Sequence, residues 1–252
     1  MIIFRYDKTF EGLLTAVFDA FNRRTFPDKL LGTDDIEPLF VTETVEIISD
    51  EEKSKRVWKG LEKKLMPVTL NMISYAWLSE LPESDELIFR YIRKVFNSKQ
   101  SIELNFADDD VLALRNLAKK VNTEKTRMIE FVRFQKTSDD IFFAPISPDH
   151  NCLPLIISHF KDRFSDQTWI IFDTKRSYGY YYDQKTVNEI TFDSTDLFKD
   201  GKMNENLMAK DEKLFQKMWK AYYKSLTIKE RINPKLHKQL LPRRYWKYLT
   251  EK

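Results

Sequence analysis

The fold prediction depends most on residues 127–183, RMIEFVRFQKTSDDIFFAPISPDHNCLPLIISHFKDRFSDQTWIIFDTKRSYGYYYD. This stretch holds two of the three histidines, the single cysteine and the strongest strand signal of the chain. Apolar residues over 129–134 and 141–146, with a polar turn between the two segments, predict a β-hairpin. Further apolar segments predict a helix and three more strands, over residues 153–164, 169–172, 178–182 and 186–192.

The segments that precede this stretch predict a strand, a helix, a second strand and then a block of helices. Ile2–Tyr6 is short, β-branched and aromatic, and apolar residues at helical spacing follow over Phe10–Phe21. Residues 39–48 alternate between apolar and polar side chains and predict the second strand. Residues 50–122 show helical spacing with helix-capping residues, so they predict a helical block.

These elements predict an α+β fold in a single domain of residues 1–252. A mixed β-sheet is expected from the N-terminal strand and residues 129–192. The helical block 50–122 and a long C-terminal helix over about 205–226 are expected to pack against it. A basic tail, residues 227–252, completes the chain.

The composition excludes several classes of protein. Five glycines and the absence of a glycine-rich phosphate-binding motif argue against a nucleotide cofactor, and we expect no cofactor. One cysteine forbids an internal disulfide and a multi-cysteine metal site. No apolar run approaches the ~20 residues that span a bilayer, and no signal-peptide pattern begins the sequence. We therefore expect a cytoplasmic protein that does not contact a membrane.

Charge is distributed unevenly along the chain. Residues 217–252 contain eleven Lys and Arg against two Glu, a net +9, so the remainder carries −6 of the total +3. Basic residues alternate there with aromatic ones, which favours binding of a nucleic-acid backbone with stacking on bases. In the alternative interpretation the aromatic residues fold back on the core and the cations are simply solvated. The candidate nucleic-acid-binding residues of this region are Lys235, His237, Arg243, Arg244 and Trp246.

A second group of cations belongs to the central stretch. Its members are Arg127, Arg133, Lys175 and Arg176. If the predicted strands share one sheet, these side chains could converge on an anion, since arginine matches the geometry of phosphate. In the alternative interpretation Arg133 forms a structural ion pair with Glu130 or Asp173.

The remaining candidate chemistry lies between the predicted hairpin and the helix that follows it. Asp149 and His150 are the candidate catalytic residues, with either as general base. The alternative is a turn and helix cap over residues 147–149. Cys152 and His159 superficially complete a set of metal ligands with His150, but the spacing matches no standard site, so no metal is expected.

Four ordered motifs carry a family resemblance: residues 6–21 (YDKTFEGLLTAVFDAF), 127–135 (RMIEFVRFQ), 147–183 and 232–251 (INPKLHKQLLPRRYWKYLTE). Together they resemble a bacterial family of unknown function described as "probable DNA metabolism protein". The resemblance implies a genomic neighbourhood with a radical SAM protein of DNA modification or repair. It also implies relatives that are fused to a uracil-DNA-glycosylase-like domain. No catalytic residues come with it.

Three functions are compatible with these observations. The first is a DNA-binding accessory protein of repair or base modification that uses the basic tail and the central cations. The second is a hydrolase or glycosylase acting on nucleic acid through Asp149 or His150. The third is a protein-interaction scaffold for the radical SAM partner.

Overall fold

The computed structural model describes residues 1–192, 198–199 and 202–251 of the chain. Contacts divide the chain into two compact units, Met1–Asn122 and Thr123–Lys252, where the sequence predicts one domain. Both units combine helices with a β-sheet, so the predicted α+β class is confirmed. No helix of the described residues is both long and apolar enough to cross a membrane.

A three-stranded parallel sheet forms part of the first unit. Strand β1 (Ile2–Tyr6) lies in the middle, between β2 (Lys29–Gly32) and β3 (Glu43–Glu46). Helix α1 (Phe10–Arg23) connects β1 to β2 and packs its apolar face on the core. The prediction that the N-terminal strand joins the later strands in one sheet is wrong. Because β1 pairs on both edges within its own unit, it has no edge left for another strand.

The predicted helical block is confirmed, and it begins in the first unit. Its helices are α2 (Glu51–Glu62), α3 (Pro67–Trp77), α4 (Ser84–Asn97) and α5 (Asp109–Phe131). Helix α5 continues to Phe131, so residues 129–131 are helical and not part of the predicted strand. Val121, Glu124 and Met128 are all buried at spacings of three and four, and this helical period overrides the local strand propensity.

A mixed five-stranded sheet organises the second unit, in the order β4-β5-β6-β7-β8. The strands are Gln135–Lys136, Phe142–Ile146, Trp169–Asp173, Tyr178–Tyr182 and Val187–Thr191. Only β5 and β6 are parallel, and a 3-10 turn (Leu153–Leu155) with helix α6 (Ile157–Arg163) connects them. A mixed sheet over the later strands is therefore confirmed, but it does not include the N-terminal strand. The predicted hairpin is shorter than expected, because its first strand, β4, has only two residues.

The C-terminal part of the second unit is mostly helical. Two short strands, β9 (Phe198–Lys199) and β10 (Lys202–Met203), precede helices α7 (Glu212–Leu226) and α8 (Pro234–Leu240), and a 3-10 helix covers Arg243–Tyr248. The tail returns to the core of its unit, where four of its residues are buried: Leu241, Tyr245, Tyr248 and Leu249. This return fixes the backbone from which the basic side chains project.

Candidate nucleic-acid interface

Glu124 on α5 organises the loop that carries the two predicted catalytic residues. The side chain is 2% exposed. Its Oε1 accepts a hydrogen bond from the Asp149 backbone N–H at 2.9 Å, and its Oε2 accepts one from the His150 N–H at 2.8 Å. One buried carboxylate therefore fixes two successive backbone amides, a geometry that holds the loop by its main chain.

Two side chains of the tail complete the contacts of Glu124. Arg244 Nη2 lies 2.9 Å from Glu124 Oε1 and 2.9 Å from Asp149 Oδ2, and so bridges two carboxylates. The Tyr245 hydroxyl donates to Glu124 Oε1. Burial alone raises the pKa of Glu124, but the bonds from Tyr245, the two amides and Arg244 outweigh it and hold that pKa below its ordinary 4.5. Glu124 is therefore ionised at neutral pH.

The same loop is held from the other side by the turn after β6. Asp173 is fully buried, and Arg176 Nη1 lies 2.8 Å from its Oδ2. Arg176 also donates to the Pro148 carbonyl at 3.2 Å and to the Asp149 carbonyl at 3.1 Å. Lys175 Nζ donates to that same Asp149 carbonyl at 2.9 Å. Lys175 and Arg176, which the sequence analysis names as candidate phosphate contacts, therefore both bond to the backbone of this loop.

The network favours a structural clamp over an activated nucleophile. Cys152 is fully buried, and burial followed by the charges of Glu124 and Asp173 raises the pKa of its thiol. The thiol is therefore protonated and inert at neutral pH. The carboxylate of Asp149 is engaged by Arg244. The catalytic assignment of Asp149 and His150 stays a prediction.

Metal ligation has no geometric basis in the part of the chain that the structure describes. No group of three or more His, Cys, Asp and Glu side chains lies in a metal-binding arrangement there. His159, one of the residues that superficially resemble ligands, packs edge-on against Phe160 with ring centroids 5.3 Å apart.

The other two central arginines lie elsewhere in the second unit. Arg127 Nη2 donates to the Gln239 carbonyl at 3.1 Å, which ties α5 to α8. Arg133 Nη2 lies 2.9 Å from Glu251 Oε1, and its guanidinium is 5.7 Å from the Trp219 ring centroid. Arg133 does form an ion pair, but the expectation that its partner is Glu130 or Asp173 is wrong, because the partner is Glu251. Residues near 133 follow a helix instead of a strand, and this turns Arg133 toward the tail.

The aromatic residues of the tail fold back on their own unit, as the alternative interpretation expects, and nucleic-acid binding by the tail stays a prediction. Trp246 is partly buried and donates its Nε1–H to the Leu241 carbonyl at 3.1 Å. His237 stacks on Trp246 at 5.7 Å, and the Arg243 guanidinium lies 5.8 Å from the same ring. Lys235 is exposed on α8. The aromatic residues thus brace the tail while its cations remain at the surface.

Helix α7 carries three lysines that the sequence analysis counts in the basic segment 217–252 but does not name as binding residues. Lys217, Lys220 and Lys224 recur at spacings of three and four residues, so they share one side of the helix. A second side of the helix is apolar and consists of residues spaced by four. Each of them is between 54% and 60% exposed: Leu214, Met218, Tyr222 and Leu226. The sequence pattern had assigned this apolar side to the core. The signal that could have found the lysines is their helical spacing, which is visible without a structure.

Most cations of α7 and the tail have no acidic partner in the part of the chain that the structure describes. Nine exposed Lys and Arg side chains form no ion pair with any carboxylate of the described residues. They are Lys217, Lys220, Lys224, Lys229, Arg231, Lys235, Lys238, Arg243 and Lys247. By contrast, Arg176 and Arg244 are already neutralised by carboxylates. The positive potential of the second unit therefore arises from α7 and the tail more than from the central network.

These features define an α+β protein whose second unit joins an internally neutralised loop network to a basic, partly aromatic surface. Residues 82–251 match the family model of a domain of unknown function, DUF4130, and the chain belongs to this family. The matched segment contains all of the described second unit. Comparison with curated proteins and comparison with solved structures both return no match.

Proposed function

We propose that the second unit binds nucleic acid and that the protein is a cytoplasmic accessory factor of DNA metabolism, the setting that the motif resemblance implies. The observation that carries the proposal is the set of nine exposed cations on α7 and the tail that have no carboxylate partner among the described residues. Unpaired cations on one structural unit attract a polyanion, because each one that contacts a phosphate releases condensed counterions.

Exposed aromatic side chains beside these lysines favour a single strand as the ligand. Phe215 is 55% exposed, Trp219 38% and Tyr222 54%, all on α7. Stacking of a base on such a ring contributes roughly 1–3 kcal/mol and tolerates any sequence. A duplex keeps its bases stacked internally and cannot use these rings without unpairing.

The proposal changes the roles of the central residues. Lys175, Arg176 and Arg244 bond to the loop at Pro148 and Asp149, so their donors are engaged before any ligand arrives. We assign to them the positioning of the loop. Phosphate contact is assigned to the lysines of α7 and to the tail cations, Arg243 among them.

The test is fluorescence anisotropy of a labelled oligothymidylate titrated with the protein. The variant Lys217→Gln/Lys220→Gln/Lys224→Gln removes three exposed charges of α7. A matched control, Lys59→Gln/Lys63→Gln/Lys99→Gln, removes three exposed lysine charges of the first unit, so the net charge of the two variants is equal.

The α7 variant is expected to lose affinity for the strand by an order of magnitude or more, while the control stays close to wild type. Equal loss in both variants would show a response to net charge alone and contradict the assignment of the surface. Absence of any binding by the wild-type protein would reject the function.

A radical SAM protein of DNA modification or repair is the proposed protein partner, and this rests on the motif resemblance. Co-purification of the two proteins before and after nuclease treatment tests it. Association that survives nuclease indicates direct contact, whereas association that is lost indicates that DNA bridges the two. No association before treatment would reject the partnership.

A further inference from the structure

Two neighbouring cavities lie in the second unit, and neither contains the Asp149 loop. The larger has a volume of about 910 Å³ and lies between the end of α5, α6 and α7. The smaller, of about 460 Å³, lies between α7, β10 and the end of the tail. Gln216 and Thr250 line both cavities. The two cavities are therefore adjacent.

The larger cavity has the character of a ring-binding site. Phe134 packs edge-on against Phe160 at 5.7 Å and against Phe164 at 5.4 Å, and α7 contributes Phe215 and Trp219 to the same cavity. Its volume falls within the roughly 300–1,000 Å³ of small-molecule sites. Aromatic surfaces from two separate helices offer stacking to a planar ligand.

The smaller cavity has the character of an anion site. Four lysines line it: Lys213, Lys217, Lys220 and Lys247. Lys213 is paired with Glu205 at 2.6 Å, whereas the other three have no carboxylate partner among residues 1–192, 198–199 and 202–251. A phosphate monoester carries about −1.5 to −2 charges at neutral pH and matches such a group of cations.

A buried amide in the lining of the smaller cavity is a second, independent feature of this site. Gln135 lines this cavity, is 4% exposed, and its Oε1 is buried without a hydrogen-bond partner in the described part of the chain. An unsatisfied buried acceptor is unfavourable unless something supplies a donor. A phosphorylated ligand with hydroxyl groups would supply both the negative charge for the lysines and the donor for Gln135.

We propose that the two cavities together bind one nucleotide, with its unstacked base among the aromatic residues and its phosphate among the lysines. The nucleotide is either a free mononucleotide or one residue of a nucleic-acid strand. The second source rests on the proposed function above, and it specifies that one nucleotide of the bound strand occupies these two cavities. The first source is independent of it.

The experiment measures binding of wild type, Gln135→Met and Phe215→Ala by isothermal titration. The ligands are dAMP, deoxyadenosine, inorganic phosphate, and a labelled strand with and without an abasic residue at its centre. Gln135→Met keeps the shape of the side chain and removes the amide. Phe215 is 55% exposed, so its loss should leave folding intact, and Phe40→Ala, at 86% exposure in the first unit, is the matched control. Unfolding midpoints of all variants are measured alongside.

A free-nucleotide site predicts that dAMP binds more tightly than deoxyadenosine or phosphate, and that both cavity variants weaken it about ten-fold or more. A strand site predicts that the abasic strand binds wild type more weakly than the intact strand, and that Phe215→Ala removes this difference. The site is rejected if neither pattern appears, that is, if both cavity variants match Phe40→Ala with every ligand. Strand binding with normal salt dependence but no response to the cavity variants would reject this site and leave the proposed function standing. Binding of dAMP without any strand binding would reject the proposed function and leave this site standing.

Discussion

Replacement of Glu124 by glutamine tests whether one buried carboxylate holds the central loop. Glu124 accepts four hydrogen bonds, from two backbone amides, Arg244 and Tyr245. An amide of the same shape keeps one acceptor oxygen, turns a donor toward a donor and removes the charge opposite Arg244. Hydrogen bonds to a charged group contribute roughly 1.5–3 kcal/mol each, and their losses do not add fully. We expect Glu124→Gln to lower the free energy of unfolding by about 3 kcal/mol, at the lower end of the 3–5 kcal/mol typical of a broken buried ion pair.

The assay is urea unfolding followed by circular dichroism, with Glu130→Gln as the control. Glu130 lies on the same helix and is exposed, so its variant should change stability by less than about 0.5 kcal/mol. A change for Glu124→Gln below about 1 kcal/mol, or one no larger than the control, would refute the reasoning.

The pH dependence of stability is a second test of the ionised state of Glu124. The folded-state pKa of Glu124 lies below its ordinary 4.5. Its stabilising contribution is therefore fully present above pH 4.5 and is lost as the pH falls through the folded-state pKa. Wild type should lose more stability than Glu124→Gln on acidification through this window, so the two curves converge in acid. Parallel curves would contradict the ionised state of Glu124.

Three further outcomes follow from particular contacts. Cys152 should react with a thiol reagent only on the timescale of unfolding, because its thiol is buried and its pKa is raised; rapid reaction of the native protein would contradict this. Tyr245→Phe removes one donor from Glu124 and should destabilise the protein by about 1 kcal/mol in urea unfolding, with no change as the contrary result. Gly12→Ala should destabilise the first unit by about 1–3 kcal/mol, because the new Cβ would lie 2.2 Å from Asp7 Oδ1; an unchanged thermal midpoint would show that Asp7 moves aside freely.

Local periodicity was enough to predict most elements of the fold. Strand β1, helix α1, the helical block and strands β5 to β8 all follow from apolar spacing and caps in the sequence. The partition into two sheets does not, because strand pairing is a long-range choice that no local pattern encodes. Strand β2 (Lys29–Gly32) was also not predicted, since its two buried leucines are too few to establish a periodicity. The C-terminal end of α5 was predicted wrongly as a strand, because the apolar residues of 128–131 fit both the helical and the strand periodicity.

The candidate site was predictable only in part, for similar reasons. The sequence indicates Lys175, Arg176 and Asp149 as candidate residues but does not predict that they meet, whereas in the structure both cations donate to the Asp149 carbonyl. Glu124 gave no signal, because an acidic residue in mid-helix is ordinarily solvated and only the tertiary structure buries it. The exposed apolar side of α7 was misread because a hydrophobic stripe does not reveal whether another element covers it.

The salt dependence of strand binding tests the central claim most directly. For single strands, each neutralised phosphate contributes about −0.7 to the slope of log affinity against log salt concentration. If Lys217, Lys220 and Lys224 each contact a phosphate, the triple glutamine variant should show a slope shallower by about 2 than that of wild type. The control variant of the first unit should keep the wild-type slope. An α7 variant whose slope equals that of wild type would contradict the assignment of the nucleic-acid interface to this helix.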